Sequence, residues 1–380
     1  MDFQFSPKQQ DLRDAVRRFA EDVVASSAQQ RSDSATWDNA LWRELGERRW
    51  PGVMIPPEYG GLGGGALEHA IIVEEMSRVD ASLGAALNLL QQTVMAILSF
   101  ATEAQKRHYL PLLARGESYS ITGITESESG SKMTDMRTTA RADNEGWVLN
   151  GSKTEVHIPQ HVQICLLFAK TPGGISAFLV DTATPGFRIV REREIIGLRG
   201  LPMAAIAFED CRIPDANLLG RDGGAYDVFF KSFDLTRIGN AAKCTGIAAG
   251  AMERAIAYAR TRRIGDNVVT DFQGIRWQIA ELDARIEAGR MLTWRAAQEY
   301  DKTGRSTLNS ARAKLIASAA AMDATTACLQ ITGSHGCFSE QAFARFMMDA
   351  KVSQITGGTI EILKNTIARE LLGKPTGPTL

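Results

Sequence analysis

The stretch TTARADNEGWVLNGSKTEVHI, residues 138–158, is where the chain changes its hydrophobic period. Before it, apolar residues recur at three- and four-residue steps. Within it they come in short runs broken by Asn144, Gly146, Asn150 and Gly151, the pattern of strands joined by tight turns. QICLLFAK (163–170), ISAFLVDTA (175–183), FRIVRER (187–193) and AAIAFEDCRIP (204–214) keep that character. Together they predict an antiparallel sheet domain of about 100 residues, placed at 118–222.

On the N-terminal side, residues 1–117 read as a helical domain. In DLRDAVRRFAEDVVA, Leu12, Val16, Phe19, Val23 and Val24 share a helical face, and Ser6 with Pro7 suits the cap and first turn. A second helical block is HAIIVEEMSRVDASLGAALNLLQQTVMAILSFA. Between them PPEYGGLGGGA (56–66) follows no strand and lacks a Lys-Ser/Thr ending, so it reads as a turn-rich break and not a phosphate loop. On the C-terminal side, residues 223–380 return to the helical period. Their alanine-rich helices permit close approach in a bundle or a subunit interface, and KPTGPTL at the end reads as a loose tail.

Composition narrows the functional classes. A formal net charge of −1 argues against nucleic-acid binding by bulk charge. With 44% hydrophobic and 23% charged residues the chain is globular in type, not disordered. MDFQFSPKQQ has neither the basic start nor the apolar stretch of a signal peptide, and no long uncharged apolar run suggests a membrane span, so a cytoplasmic protein is expected. Cys165, Cys211, Cys244, Cys328 and Cys337 are scattered, without CxxC or His spacing; they read as core thiols, with no metal site or disulfide framework.

The order helices, sheet, helical bundle resembles the acyl-CoA dehydrogenase family, and collinear motifs carry the likeness. They are IPPEYGGLGGG with VEEMSRVDASLG, TESESGSK at 125–132, VLNGSK at 148–153, FEDCRIPDANLLG at 208–220, FDLTR at 233–237, and RFMMDAKVSQITGGTIEILKNTIARELLG at 345–373. The resemblance implies an α+β fold with a four-helix-bundle-type C-terminal domain, FAD as cofactor, and usually a homotetramer. The substrate it implies is an acyl thioester lying between sheet and helices, on CoA or an acyl carrier protein. In the family reaction a carboxylate takes the α proton while the β hydrogen leaves as hydride to the flavin. By position, Thr125, Ser131, Arg262, Gln330 and Gly333 match cofactor contacts, Arg262 across a dimer; Ser131, Asp234 and Arg237 match the thioester and acyl region.

The chemistry departs from that pattern. Where the family carries its base in Tyr-Glu-Gly-Thr, this chain has Thr356-Gly357-Gly358-Thr359; the alternative base position is Thr236. Glu361 reads as structural. The flavin-facing Trp and Thr are replaced by Glu155 and His157, which strict strand alternation would set on one face. A bare carboxylate about 4 Å from an anionic reduced flavin costs about 4 kcal/mol at an effective dielectric of 20. Three functions are therefore open. One is a flavoprotein with an unusual base, His157 oriented by Glu155, for which ordinary α,β-dehydrogenation is not expected. The second is a flavin-free enzyme using Glu155 and His157 as acid and base for elimination, isomerisation or cyclisation. The third is a silent subunit of a mixed tetramer. Without FAD the contact made through its pyrophosphate is absent too, and a dimer would be less surprising.

Overall fold

The structure, a computed structural model, describes residues 4–157 and 162–373; the KPTGPTL tail lies outside them. Six helices come first: α1 (Pro7–Phe19), α2 (Ala25–Ser34), α3 (Asn39–Glu47), α4 (Ala66–Ser77), α5 (Ala81–Phe100) and α6 (Glu103–Ala114). Ser6 caps α1 in a reciprocal box with Gln9, and Pro7 fills the first turn as expected. The continuous helix read over residues 11–25 is interrupted, because Ala20–Val24 forms a π turn before α2.

Eight strands follow: β1 (Tyr119–Gly123), β2 (Thr139–Asp143), β3 (Gly146–His157), β4 (Val162–Thr171), β5 (Gly174–Asp181), β6 (Phe187–Arg193), β7 (Met203–Ile213) and the short β8 (Leu218–Leu219). They form one sheet, ordered β6-β7-β3-β2-β4-β5-β8, with β1 also on β4. The pairs are antiparallel, β4–β5 included, except that β4 runs parallel to β1 and meets β2 in parallel at Thr139 and Lys170. The sequence runs β4 and β5 are buried through their middles on both faces, which is why they read as continuous apolar stretches.

The C-terminal helices are α7 (Ala225–Thr261), α8 (Gln273–Thr303), α9 (Thr307–Thr332), α10 (Phe343–Ile355) and α11 (Ile360–Leu372); a small hairpin, β9 (Arg263–Ile264) with β10 (Asn267–Val268), joins α7 to α8. α7 is central and packs on α4, α5, α8, α9 and α10. Its small residues let it approach α4 closely: side chains at Gly246 and Gly250 would run into the Glu74 and Arg78 carbonyls. Buried charges tie the same layers together, Glu74 to Arg290 at 2.6 Å and Glu75 to Arg13 at 2.8 Å and Arg17 at 2.9 Å. α5 has the length and hydropathy of a membrane span, but most of it is buried in this core. Four cysteines are core thiols as read; Cys337 is exposed.

Candidate active site

A cavity of about 1540 Å³ opens between the sheet and the helical bundle. Its walls come from β1 and the loop after it, the end of β3, one face of α7, the Thr356–Thr359 turn and α11. Of the residues singled out in the sequence, Thr125, Ser131, Glu155, His157 and Arg237 line it, and Thr236 and Gly357 do too.

Asp234 does not. Its carboxylate accepts the Ser306 amide at 3.0 Å and the Thr307 hydroxyl at 2.8 Å, so it holds the start of α9 to α7. Arg262, Gln330 and Gly333 lie exposed away from the cavity. They sit at the end of the bundle where Ala259, Val269 and Ile331 cluster and Tyr258 stacks on His335 at 4.6 Å. Glu361 is exposed in the first turn of α11, outside the cavity lining.

The loop after β1 is fixed from below. Glu126 receives Lys153 Nζ at 2.8 Å and the backbone N–H groups of Arg137 and Thr138 at 2.5 and 3.0 Å. Burial alone would raise its pKa; the hydrogen bonds, led by Lys153, overcome this and bring it down to about 2. Lys153 is fully buried and also donates to the Ile124 carbonyl at 3.2 Å. The Thr-Glu start of TESESGSK and the lysine of VLNGSK thus form one joint that presents Thr125 and Ser131 to the cavity.

Glu155 and His157 do not form the expected pair. The β3–β7 register slips between Lys153 and Val156, and Glu155 takes a left-handed φ of 59°, so the alternation that would align the two side chains is broken. Glu155 pairs instead with Arg193 at 3.0 Å, from β6 across β7. His157 Nδ1 lies 3.2 Å from the Leu201 carbonyl. A carbonyl only accepts, so Nδ1 carries the proton and Nε2 is the free acceptor. Burial pushes His157 down to about 4 in spite of that bond, with the charge of Lys243 acting in the same direction. It is neutral at pH 7 and a weak proton acceptor there.

The floor is the part that the sequence reading missed. Gly357 has φ of 68°, and the amide of Asn240 fills the space that a β-carbon on it would take. Lys314 Nζ donates to the carbonyls of Thr356 and Gly358, which flank that glycine. Burial, with the charges of Lys243 and Arg237, lowers its pKa to about 7. Arg237 lies over the Phe233 ring at 4.3 Å, donates to Thr366 at 3.3 Å and pairs with Asp234 at 3.7 Å. Thr236 Oγ1 donates to the Ser232 carbonyl within α7. Asn240 and Lys243 continue the face begun by Thr236, at steps of four and three. Their signal was a single lysine inside the apolar run GNAAKCTGIAAGA.

The chain matches three consecutive sequence profiles: acyl-CoA dehydrogenase, N-terminal domain (residues 6–117), middle domain (122–211) and C-terminal domain (224–372). The short-chain specific acyl-CoA dehydrogenase of Clostridium acetobutylicum is 33% identical over 98% of this chain and 100% of its own length. The acryloyl-CoA reductase (NADH) of Anaerotignum propionicum is 34% identical over 98% of this chain and 96% of its own. Butyryl-CoA dehydrogenase of Megasphaera elsdenii superposes with a TM-score of 0.95 at 32% identity, covering 98% of this chain and 100% of that one. Domain order, cavity position and these likenesses agree: the chain belongs to the acyl-CoA dehydrogenase family.

Proposed function

We propose that this protein is an FAD-dependent oxidoreductase acting on an acyl thioester, on CoA or an acyl carrier protein, with no carboxylate base at either family position. The observation that carries the reading is the cavity itself, which is lined by Thr125 and Ser131 from the loop after β1 together with Arg237 and the Thr356–Thr359 turn from the helical side.

The residues present suit a flavin. Arg193 neutralises Glu155, which removes the charge conflict that a bare carboxylate would impose. His157 is neutral and offers Nε2 as an acceptor. Thr125, Ser131 and His157 would hold the ring side of FAD, which supplies a hydride acceptor when bound. Arg262, Gln330 and Gly333, exposed at the far end of the bundle, would serve the cofactor of a neighbouring subunit; the working form is then a homo-oligomer, a tetramer or at least a dimer.

Ordinary α,β-dehydrogenation needs a proton acceptor at the α carbon. Gly357 has none, Thr236 is bonded into its own helix, and His157 is weak. Saturated acyl thioesters are therefore expected to bind without being oxidised quickly. The non-redox reading loses its motive, since Glu155 and His157 each have another partner. The test is a visible absorbance spectrum of the purified protein, before and after denaturation and FAD addition, followed by anaerobic addition of butyryl-CoA. Near-stoichiometric flavin that butyryl-CoA perturbs but does not quickly bleach is the expected result. A colourless protein that takes up no FAD overturns the reading.

A further inference from the structure

Three features meet at the cavity floor. Lys243 is 2% exposed, lines the cavity, and makes no hydrogen bond or ion pair with any described residue. Asn240, one turn earlier on α7 and 3% exposed, lines it too, and its amide likewise has no hydrogen-bond partner among the described residues. Arg237, next along the same face, keeps its Nε–H buried and without a partner among the described residues.

Donors dominate this region. An ammonium and a guanidinium carry no acceptor at all, and Asn240 directs its NH₂ at Gly357. The carboxylates that act on these cations are already engaged. Asp349, whose charge reaches Lys243, accepts the Leu198 amide at 2.6 Å and forms no ion pair with the lysine. Asp234 is bound to the start of α9 and pairs with Arg237 at 3.7 Å. A buried ammonium with no anion beside it is costly, and burial accordingly lowers its pKa. A ligand acceptor bearing negative charge would complete the set.

We propose that Lys243 and Asn240 form a carboxylate-binding subsite, so that the preferred substrates are short acyl thioesters whose acyl group ends in a carboxylate. This rests on the acyl-thioester reading above. The site lies beside Gly357, at the reacting end of the cavity by family resemblance, so the acid must be only a few carbons from the thioester. Lys243 supplies the charge and Asn240 an oriented N–H donor. A plain alkyl chain there would leave both unpaired and cover the ammonium with hydrocarbon.

The test compares equilibrium binding of glutaryl-CoA with pentanoyl-CoA, and of succinyl-CoA with butyryl-CoA, to the purified full chain. Pantetheine esters of the same acids are run alongside. Wild type is expected to bind each acid at least about tenfold more tightly than its neutral counterpart. In Lys243→Met that preference falls to about one, while the neutral esters change by less than about threefold. Asn240→Leu is the second variant and reduces the preference in part. Thermal melts check folding, and Lys243→Met should melt no lower than wild type because it removes a buried unpaired charge. Equal binding of acid and neutral esters by wild type overturns the subsite, as does a preference that survives in both variants. If no thioester of either kind binds, the acyl-thioester reading itself fails.

Discussion

The Asn240 amide occupies the space that a side chain on Gly357 would need, so a β-carbon there requires Asn240 to move. The absent base is thus more than one missing carboxylate, because the Asn240 side chain has taken up its space. Gly357→Glu alone is expected to destabilise the protein by about 3 kcal/mol, from placing a residue with a β-carbon at a left-handed φ and from overpacking. Pairing it with Asn240→Ala should recover about 1 kcal/mol or more. Urea unfolding of the two single variants and the double variant measures this, and strictly additive losses would count against Asn240 as the obstacle.

Breaking the Glu126–Lys153 joint should loosen the loop that carries Thr125 and Ser131. Glu126→Gln leaves a fully buried lysine without its anion, a loss of about 3 kcal/mol. Because folding lowers Glu126 from 4.5 to about 2, its stabilisation is present above pH 4.5 and is lost as pH falls toward 2. The variant's acid unfolding should therefore lack that part of the transition. Retention of the wild-type acid profile would show that the pair is unimportant.

His157 carries linkage of the same sign, in a higher pH window. Its folded pKa is lowered from 6.5 to about 4, so between those values the unfolded chain binds the proton and the folded chain does not. Stability rises with pH across that window and falls as it is acidified. Nitrogen-shift NMR should find His157 neutral with the proton on Nδ1 down to about pH 5, and His157→Gln should flatten the stability profile between 4 and 6.5. A ring that titrates near 6.5 would contradict the burial seen here.

Asp234 holds helices together and does not face the substrate. Asp234→Ala should cost about 2 kcal/mol, since the Ser306 amide and the Thr307 hydroxyl lose their acceptor. Relative affinities among neutral acyl thioesters should stay as in wild type, although Arg237 loses its paired anion. Unfolding curves and the ester panel together decide it: altered selectivity at unchanged stability would return Asp234 to the binding site.

Much of the fold was readable because it depends on period. Alternation in residues 204–214 and helical spacing in residues 66–100 survive small errors of register, and the Ser6–Pro7 cap is a local device that needs no tertiary context. The site was less readable for a related reason. A bulge adds one residue without changing composition, so nothing in NGSKTEVH distinguishes a straight strand from one that turns Glu155 toward Arg193. Asp234 and Arg237 sit three apart on a helix, yet only packing decides that the first meets α9 and the second the cavity. Lys243 was overlooked because its neighbours Ala241, Ala242 and Cys244 describe a buried helix, in which a lone lysine carries no period of its own.

The parallel pairing of β1 with β4 bears on the order in which the polypeptide assembles during synthesis. Tyr119–Gly123 leaves the ribosome directly after α6, but its partner Val162–Thr171 is made only after β2 and β3 have emerged. Until then the edge groups of β1 are unmatched, and Tyr119, whose hydroxyl reaches the Ala86 carbonyl at 3.0 Å, anchors the waiting segment to α5. The nascent N-terminal half is consequently a dependent intermediate with an open strand edge. Truncation anywhere between Gly123 and Val162 should yield aggregation-prone chains, and a stop after Thr171, which completes β4, should be the earliest point at which that edge is covered.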